Sequence, residues 1–171
     1  ASRFEDCGDG TVADNDTGLL WEKKTGTIPD PVQFDQTVEC ETAGCPDPHD
    51  VNNTYEWSNV LPDPNGGAFT DFLAKLNDSS QPATWSSSSA SSIGTQTSGC
   101  FADHCDWRLP NVVELQTIVA CPAGIPCIDP RFGPTASSPY WSASSFATGP
   151  DDAWFANFGF GNVNFDDKTV D

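Results

Sequence analysis

The chain has 171 residues, enough for one domain with a hydrophobic core. Its hydrophobic fraction is 37%, with six Trp and eleven Phe, which excludes disorder by composition. The 25 acidic residues against 7 basic ones give a net charge of −18, which disfavours nucleic acid and anionic membranes as partners and points to cations, basic partners or a solvated extracellular surface.

Residues 4–22 read as a hairpin, with strand-like runs Thr11-Val12-Ala13-Asp14 and Leu19-Leu20-Trp21-Glu22 around the turn Asn15-Asp16-Thr17-Gly18. Residues 23–56 are rich in Pro, Asp and Thr and read as loop. Phe69, Phe72, Leu73 and Leu76 then fall at helical spacing in a short helix over 68–76. Residues 78–99 are Ser-rich and read as a surface insertion, because recognisable elements resume on both sides. Asn111 and Glu114 form an N-cap and its capping-box partner for a second short helix carried by Val112, Leu115, Gln116 and Val119. Residues 139–165 read as a β-meander: Tyr140-Trp141-Ser142-Ala143, Trp154 to Phe158, and Asn162-Val163-Asn164-Phe165 after the Gly159-Phe160-Gly161 turn. No apolar run reaches membrane-spanning length, and the Ala1-Ser2-Arg3-Phe4 start fits a mature N-terminus left by signal-peptide removal.

Seven cysteines sit at 7, 40, 45, 100, 105, 121 and 127. Six fall into close pairs, Cys40/Cys45, Cys100/Cys105 and Cys121/Cys127, with gaps of four, four and five residues. Metal sites favour two-residue gaps and add His or further Cys, so three local disulfides and an oxidising compartment are the better reading. Each closes a loop of about six residues and contributes roughly 2 kcal/mol in the chain-entropy model. Cys7 is left over: free, paired between chains, or joined to something outside this sequence.

The ordered set of short signatures resembles the bacterial Lcl C-terminal domain family, whose namesake is a collagen-like surface adhesin. It comprises Asp9-Gly10-Thr11-Val12-Ala13-Asp14-Asn15 with Thr17-Gly18-Leu19-Leu20-Trp21-Glu22-Lys23, then Tyr55-Glu56-Trp57-Ser58. Asp106-Trp107-Arg108-Leu109-Pro110-Asn111 with Glu114-Leu115-Gln116 follows. Ile128-Asp129-Pro130 with Phe132, Tyr140-Trp141-Ser142, Ala153-Trp154 and Gly161-Asn162-Val163 complete it. The resemblance implies a secreted or surface-attached bacterial protein and a C-type lectin-like fold shared with sulfatase-modifying-factor domains. It also implies adhesion and sulfated-glycan binding, but a charge of −18 suits that ligand poorly. The family pattern continues past Lys168-Thr169 into a further strand, so the expectation is that this strand is absent or comes from another segment or chain.

Asp6, Asp9, Asp14 and Asp16, with Asn15, supply oxygens at short spacing for Ca²⁺, although Thr17 stands where an EF-hand would place its Glu and the same residues are ordinary turn chemistry. Asp151-Asp152 and Asp166-Asp167 read as solvated turns. His104 is expected to be exposed inside the Cys100–Cys105 loop. Trp107 is expected in the core, with Arg108 pairing a carboxylate or capping carbonyls. Trp21, Trp57, Trp141 and Trp154 read mostly as core. Trp85, in the Ser-rich stretch, is the expected exposed ligand contact. The serines lack a nucleophile-elbow setting and both histidines lie in loops, so the chain reads as non-enzymatic.

The sequence therefore predicts one α+β domain over residues 1–171, of C-type lectin-like architecture: two short helices, small antiparallel sheets and long loops, stapled by disulfides. Its expected role is a secreted or cell-surface binding or adhesion module without a cofactor, whose partner is an extracellular protein or glycan. The alternatives are a structural subunit of a filament or surface assembly built from copies of itself, and a calcium-dependent carbohydrate module. Peptide mapping without reductant is expected to link 40 to 45, 100 to 105 and 121 to 127; any other pairing refutes the cysteine reading.

Overall fold

A computed structural model describes residues 2–28, 45, 47–80, 99–122 and 124–170. The architecture is α+β. The N-terminal sheet has order β1-β2-β3, with β1 Phe4–Asp6, β2 Thr11–Asp14 and β3 Leu19–Glu22, all antiparallel. The expected hairpin is β2–β3. Strand β1 is invisible in the sequence because three residues with one inward apolar side chain, Phe4, carry no periodic signal.

Helix α1 winds as a π-helix over Ala68–Leu73 and continues as α-helix over Ala74–Leu76. The Asn77 side chain fixes its end: Nδ2 donates to the Leu73 and Trp107 carbonyls and Oδ1 accepts the Trp107 N–H. Helix α2, Val112–Thr117, starts on the predicted capping box, with Asn111 and Glu114 each accepting the other's backbone N–H. Its buried positions are Leu115 and the C-cap Ile118, while Gln116 faces solvent.

The C-terminal sheet is a meander of order β4-β5-β6: β4 Pro139–Phe146, β5 Gly149–Asn157 and β6 Asn162–Asp167. It is longer than the sequence suggests. Pro150, Asp151 and Asp152 are poor strand formers, yet tertiary pairing holds them in β5. Asp151-Asp152 and Asp166-Asp167 are therefore strand residues, not turns, and Asp152 stands directly opposite Asp167.

The main core lies between the two sheets and α2. It joins Phe4 and Val12, Leu115 and Ile118, Ile128 and Phe132, and Ala156 and Phe158, with Trp21, Tyr140 and Val163 packed around them. Burying each large apolar side chain contributes about 1.5–3 kcal/mol. A smaller cluster joins Leu76, Phe101 and Ala102, with Phe72 and the half-buried Trp107 against it. Trp57 is buried, as expected, whereas Trp21, Trp141 and Trp154 are only half-buried.

Two devices tie the C-terminal sheet down. The Cys121–Cys127 disulfide lies against Gly161 in the β5–β6 turn, where an added Cβ would come within 3.0 Å of both sulfurs and where φ is +67°. Only glycine suits that combination. Lys168, 1% exposed, donates from Nζ to the Pro62 and Pro150 carbonyls and lies 4.1 Å from the centre of the Trp57 ring. Its own carbonyl accepts the N–H groups of Trp57 and Ser58. Replacing Lys168 with Ala is expected to cost about 2–4 kcal/mol, because a buried side chain is removed, two carbonyls are deprived of their donor and a ring of its cation. Urea unfolding measures it; a change under 0.5 kcal/mol, the ordinary surface range of about ±0.5, removes Lys168 from this role.

Candidate functional site

The four N-terminal aspartates do not converge. Asp6 pairs with Lys23 and accepts the Gly8 N–H. Asp9 accepts the backbone N–H and hydroxyl of Thr11. The Asp14 carboxylate is fully buried and held by the Arg3 fork, with Nε at 3.0 Å and Nη2 at 2.8 Å, by the Thr17 hydroxyl and by the Asp16 N–H. Asp16 is exposed, 3.7 Å from Arg3. Two cations thus stand where a metal would need open oxygens. Among the described residues, no group of three or more His, Cys, Asp or Glu could hold a metal ion.

The cysteine framework is partly visible. Cys100–Cys105 and Cys121–Cys127 are bonded. Cys45 is also disulfide-bonded, and its expected partner Cys40 lies outside the described residues. Cys7, between β1 and β2, is an exposed free thiol. Trp85 and most of the Ser-rich stretch lie outside the described residues. His104 is exposed, 3.9 Å from Asp106, and Arg108 forks onto Glu114 at 2.7 and 2.8 Å.

A cleft of about 930 Å³ is lined by β3, the 51–55 segment, α1 and the 104–110 segment. Trp21, Phe72, Trp107 and Tyr140 are among its walls, with Glu22 and Lys24 as a charged pair on them. Glu22 Oε1 lies 2.8 Å from His49 Nδ1, and the fully buried His49 ring packs on Phe101 at 4.1 Å. Burial pushes the Glu22 carboxyl up, but Lys24 and the His49 bond outweigh it and leave its pKa below the ordinary carboxylate range. Lys24 Nζ also sits 4.6 Å from the Phe72 ring centre, and the Tyr55 ring packs on Phe72 at 5.3 Å, tilted by 38°. Burial raises the Tyr55 and Tyr140 hydroxyls well above their ordinary pKa.

The strand and the 47–50 turn bring Glu22, Lys24 and His49 together. Thr25 donates its N–H to the His49 carbonyl and accepts that of Val51, a parallel bridge between distant segments. Asp47 steadies the turn, accepting the His49 N–H and the Thr25 hydroxyl. Nothing periodic announces His49. The one usable signal is the polar Glu22-Lys23-Lys24 run at the end of β3.

The geometry defines a disulfide-stapled α+β domain with an aromatic-walled cleft. The sequence profile of the Lcl C-terminal domain family matches residues 10–171, and the chain belongs to that family. No curated protein and no solved structure matches it.

The Arg3–Asp14 pair generates a pH prediction. Arg3 holds the Asp14 carboxyl down to about 2 from an ordinary 3.8. That shift corresponds to about 2 kcal/mol of stability. A depressed carboxylate stabilises the fold above its unfolded pKa and loses that contribution as pH falls through its folded value, here between about pH 4 and pH 2. Arg3→Ala is expected to cost about 2 kcal/mol at pH 7, with the gap to the unmodified protein closing across that window. A pH-independent gap in denaturant midpoints contradicts it.

Proposed function

We propose that this chain is an extracellular, non-catalytic binding module of C-type lectin-like architecture, and that its ligand sits in the cleft between β3, α1 and the 104–110 segment. The observation that carries the reading is the cleft itself, about 930 Å³ walled by aromatic rings with a few fixed polar groups. Short disulfides at Cys100–Cys105 and Cys121–Cys127 suit an oxidising compartment and hold the cleft's neighbouring loops. No catalytic step is assigned to Glu22 and His49: their mutual hydrogen bond and the Lys24 pair make them a rigid polar wall.

The ligand class follows from charge. Arg3, Lys23, Lys24, Lys75, Arg108 and Arg131 each form an ion pair with a carboxylate, and Lys168 is turned inward onto carbonyls. A sulfated glycan therefore meets no uncommitted Lys or Arg among the described residues, and a neutral or basic extracellular glycan or protein segment is the better match.

The test is a glycan and peptide array followed by affinity measurements with Phe72→Ala and Tyr55→Ala. Binders are expected to weaken about tenfold in these variants, the scale of removing one aromatic ring from the ligand. Affinity unchanged in both, with the fold intact by circular dichroism, moves the site away from the cleft.

A structural subunit is the second reading, favoured by the exposed free thiol of Cys7. It expects a covalent dimer or larger assembly in sizing chromatography that reductant or Cys7→Ser dissolves; a monomer under oxidising conditions removes it.

A further inference from the structure

Alternation along β5 and β6 divides one face of the C-terminal sheet into three zones. Ala156 and Val163, cross-strand partners, lie in or against the main core beside α2. Two residues further along, Trp154 stands opposite Phe165, and two further again Asp152 stands opposite Asp167. Phe146, the last residue of β4, reaches over to stack on Phe165 at 3.9 Å with the rings 6° from parallel, and Trp154 meets both edge-on at 5.5 and 5.6 Å. Trp154 and Phe146 are half-buried and Phe165 is 39% exposed. The face thus runs from core to an open aromatic zone to a pair of carboxylates.

That end is electrostatically unmatched. Like charges directly across a ladder destabilise it. Among the described residues, no hydrogen bond or ion pair reaches the Asp152 carboxylate. Asp167 gives one oxygen to the N–H and hydroxyl of Thr169 and keeps the other. The nearest cation, Lys168, attracts Asp151 and Asp152, but its ammonium hydrogens go to the Pro62 and Pro150 carbonyls. The other six cations are paired elsewhere.

We propose that this open end, Phe146, Trp154 and Phe165 with Asp152 and Asp167, docks an arginine-bearing segment of a partner protein. A guanidinium is a planar fork that bridges two neighbouring carboxylates, and its face and aliphatic stem lie well on aromatic rings. An ammonium has neither the planar fork nor the flat face that lies on the rings, which separates this surface from an amino-sugar site. A second copy of this chain is a poor occupant, since it carries −18 and no uncommitted Lys or Arg among the described residues. Strand addition along β6 is closed as well. Lys168 N–H donates to the Asp151 carbonyl, so Phe165 and Asp167 N–H point away from β5, and the Asn164 and Asp166 side chains already accept them. The partner is held by its side chains.

The test uses the full chain and a labelled peptide of alternating arginine and serine, alongside its lysine counterpart and a glucosamine oligomer with free amines. The arginine peptide is expected to bind severalfold tighter than the lysine peptide. It should weaken about tenfold in Asp152→Asn, which removes one charge-assisted hydrogen bond, and in Phe165→Ala, which removes one ring. Glu5→Gln, an exposed acid on the other sheet, should leave it unchanged. Melting curves establish that each variant folds, and Asp152→Asn carries the test if Phe165→Ala does not. No binding to the unmodified protein, equal weakening in Glu5→Gln, or unchanged affinity in Asp152→Asn overturns the proposal. Tighter binding of the glucosamine oligomer makes the surface an amino-sugar site and also overturns it.

Discussion

The C-terminal half is organised around a cation bonded to carbonyls rather than to a carboxylate. Lys168 stands just past β6, and its ammonium points into the protein towards the carbonyls of two prolines, from the 57–62 segment and from the start of β5. Burial lowers its pKa, with Asp151, Asp152 and Asp63 opposing that effect from a distance. Trp57 completes the arrangement: its ring lies under the ammonium, its Nε1 donates to the Ser142 carbonyl of β4, and Phe69 of α1 meets it edge-on at 5.1 Å. One side chain therefore sets the position of the sheet relative to the segment that leads into α1. Carbonyls can serve as its partners because charge-assisted bonds are stronger than neutral ones.

What is legible in the sequence is local. The β2–β3 hairpin follows from turn chemistry, α2 from Asn111 and Glu114, and two of the disulfides from short spacing. The ends of the second sheet are not legible, because pairing with β6 overrides the poor strand propensity of Pro150 to Asp152. The cleft is hidden for a different reason. Glu22 and His49 meet 27 residues apart through a single parallel bridge at Thr25, and no residue pattern encodes such a contact. Trp154 reads as core because it is a tryptophan in a strand. Its alternation with Ala156 places it on the same face, but beyond the part of the sheet where the main core lies.

The distribution of charge gives the molecule two unlike surfaces. With seven cations and twenty-five acidic groups, each basic residue can be used to hold structure, and each is: Arg3 closes the first sheet on Asp14, Arg108 braces the capping box through Glu114, and Lys24 lines the cleft against Glu22. Most of the surplus carboxylates remain outside, with Asp47 and Asp50 buried among backbone and side-chain donors. Both the cleft and the open sheet end place rings beside acids.

The edge of β6 has a consequence for how copies coexist. An edge strand ordinarily exposes a row of donors on which a neighbour can crystallise into a continuous ladder. Here Asn164 and Asp166 fold back onto the outward N–H groups of the residues that follow them, so the sheet closes its own margin with short side chains rooted beside the backbone they protect. A second copy approaching this edge finds the Phe165 and Asp167 donors already taken and gains no ladder bonds from them.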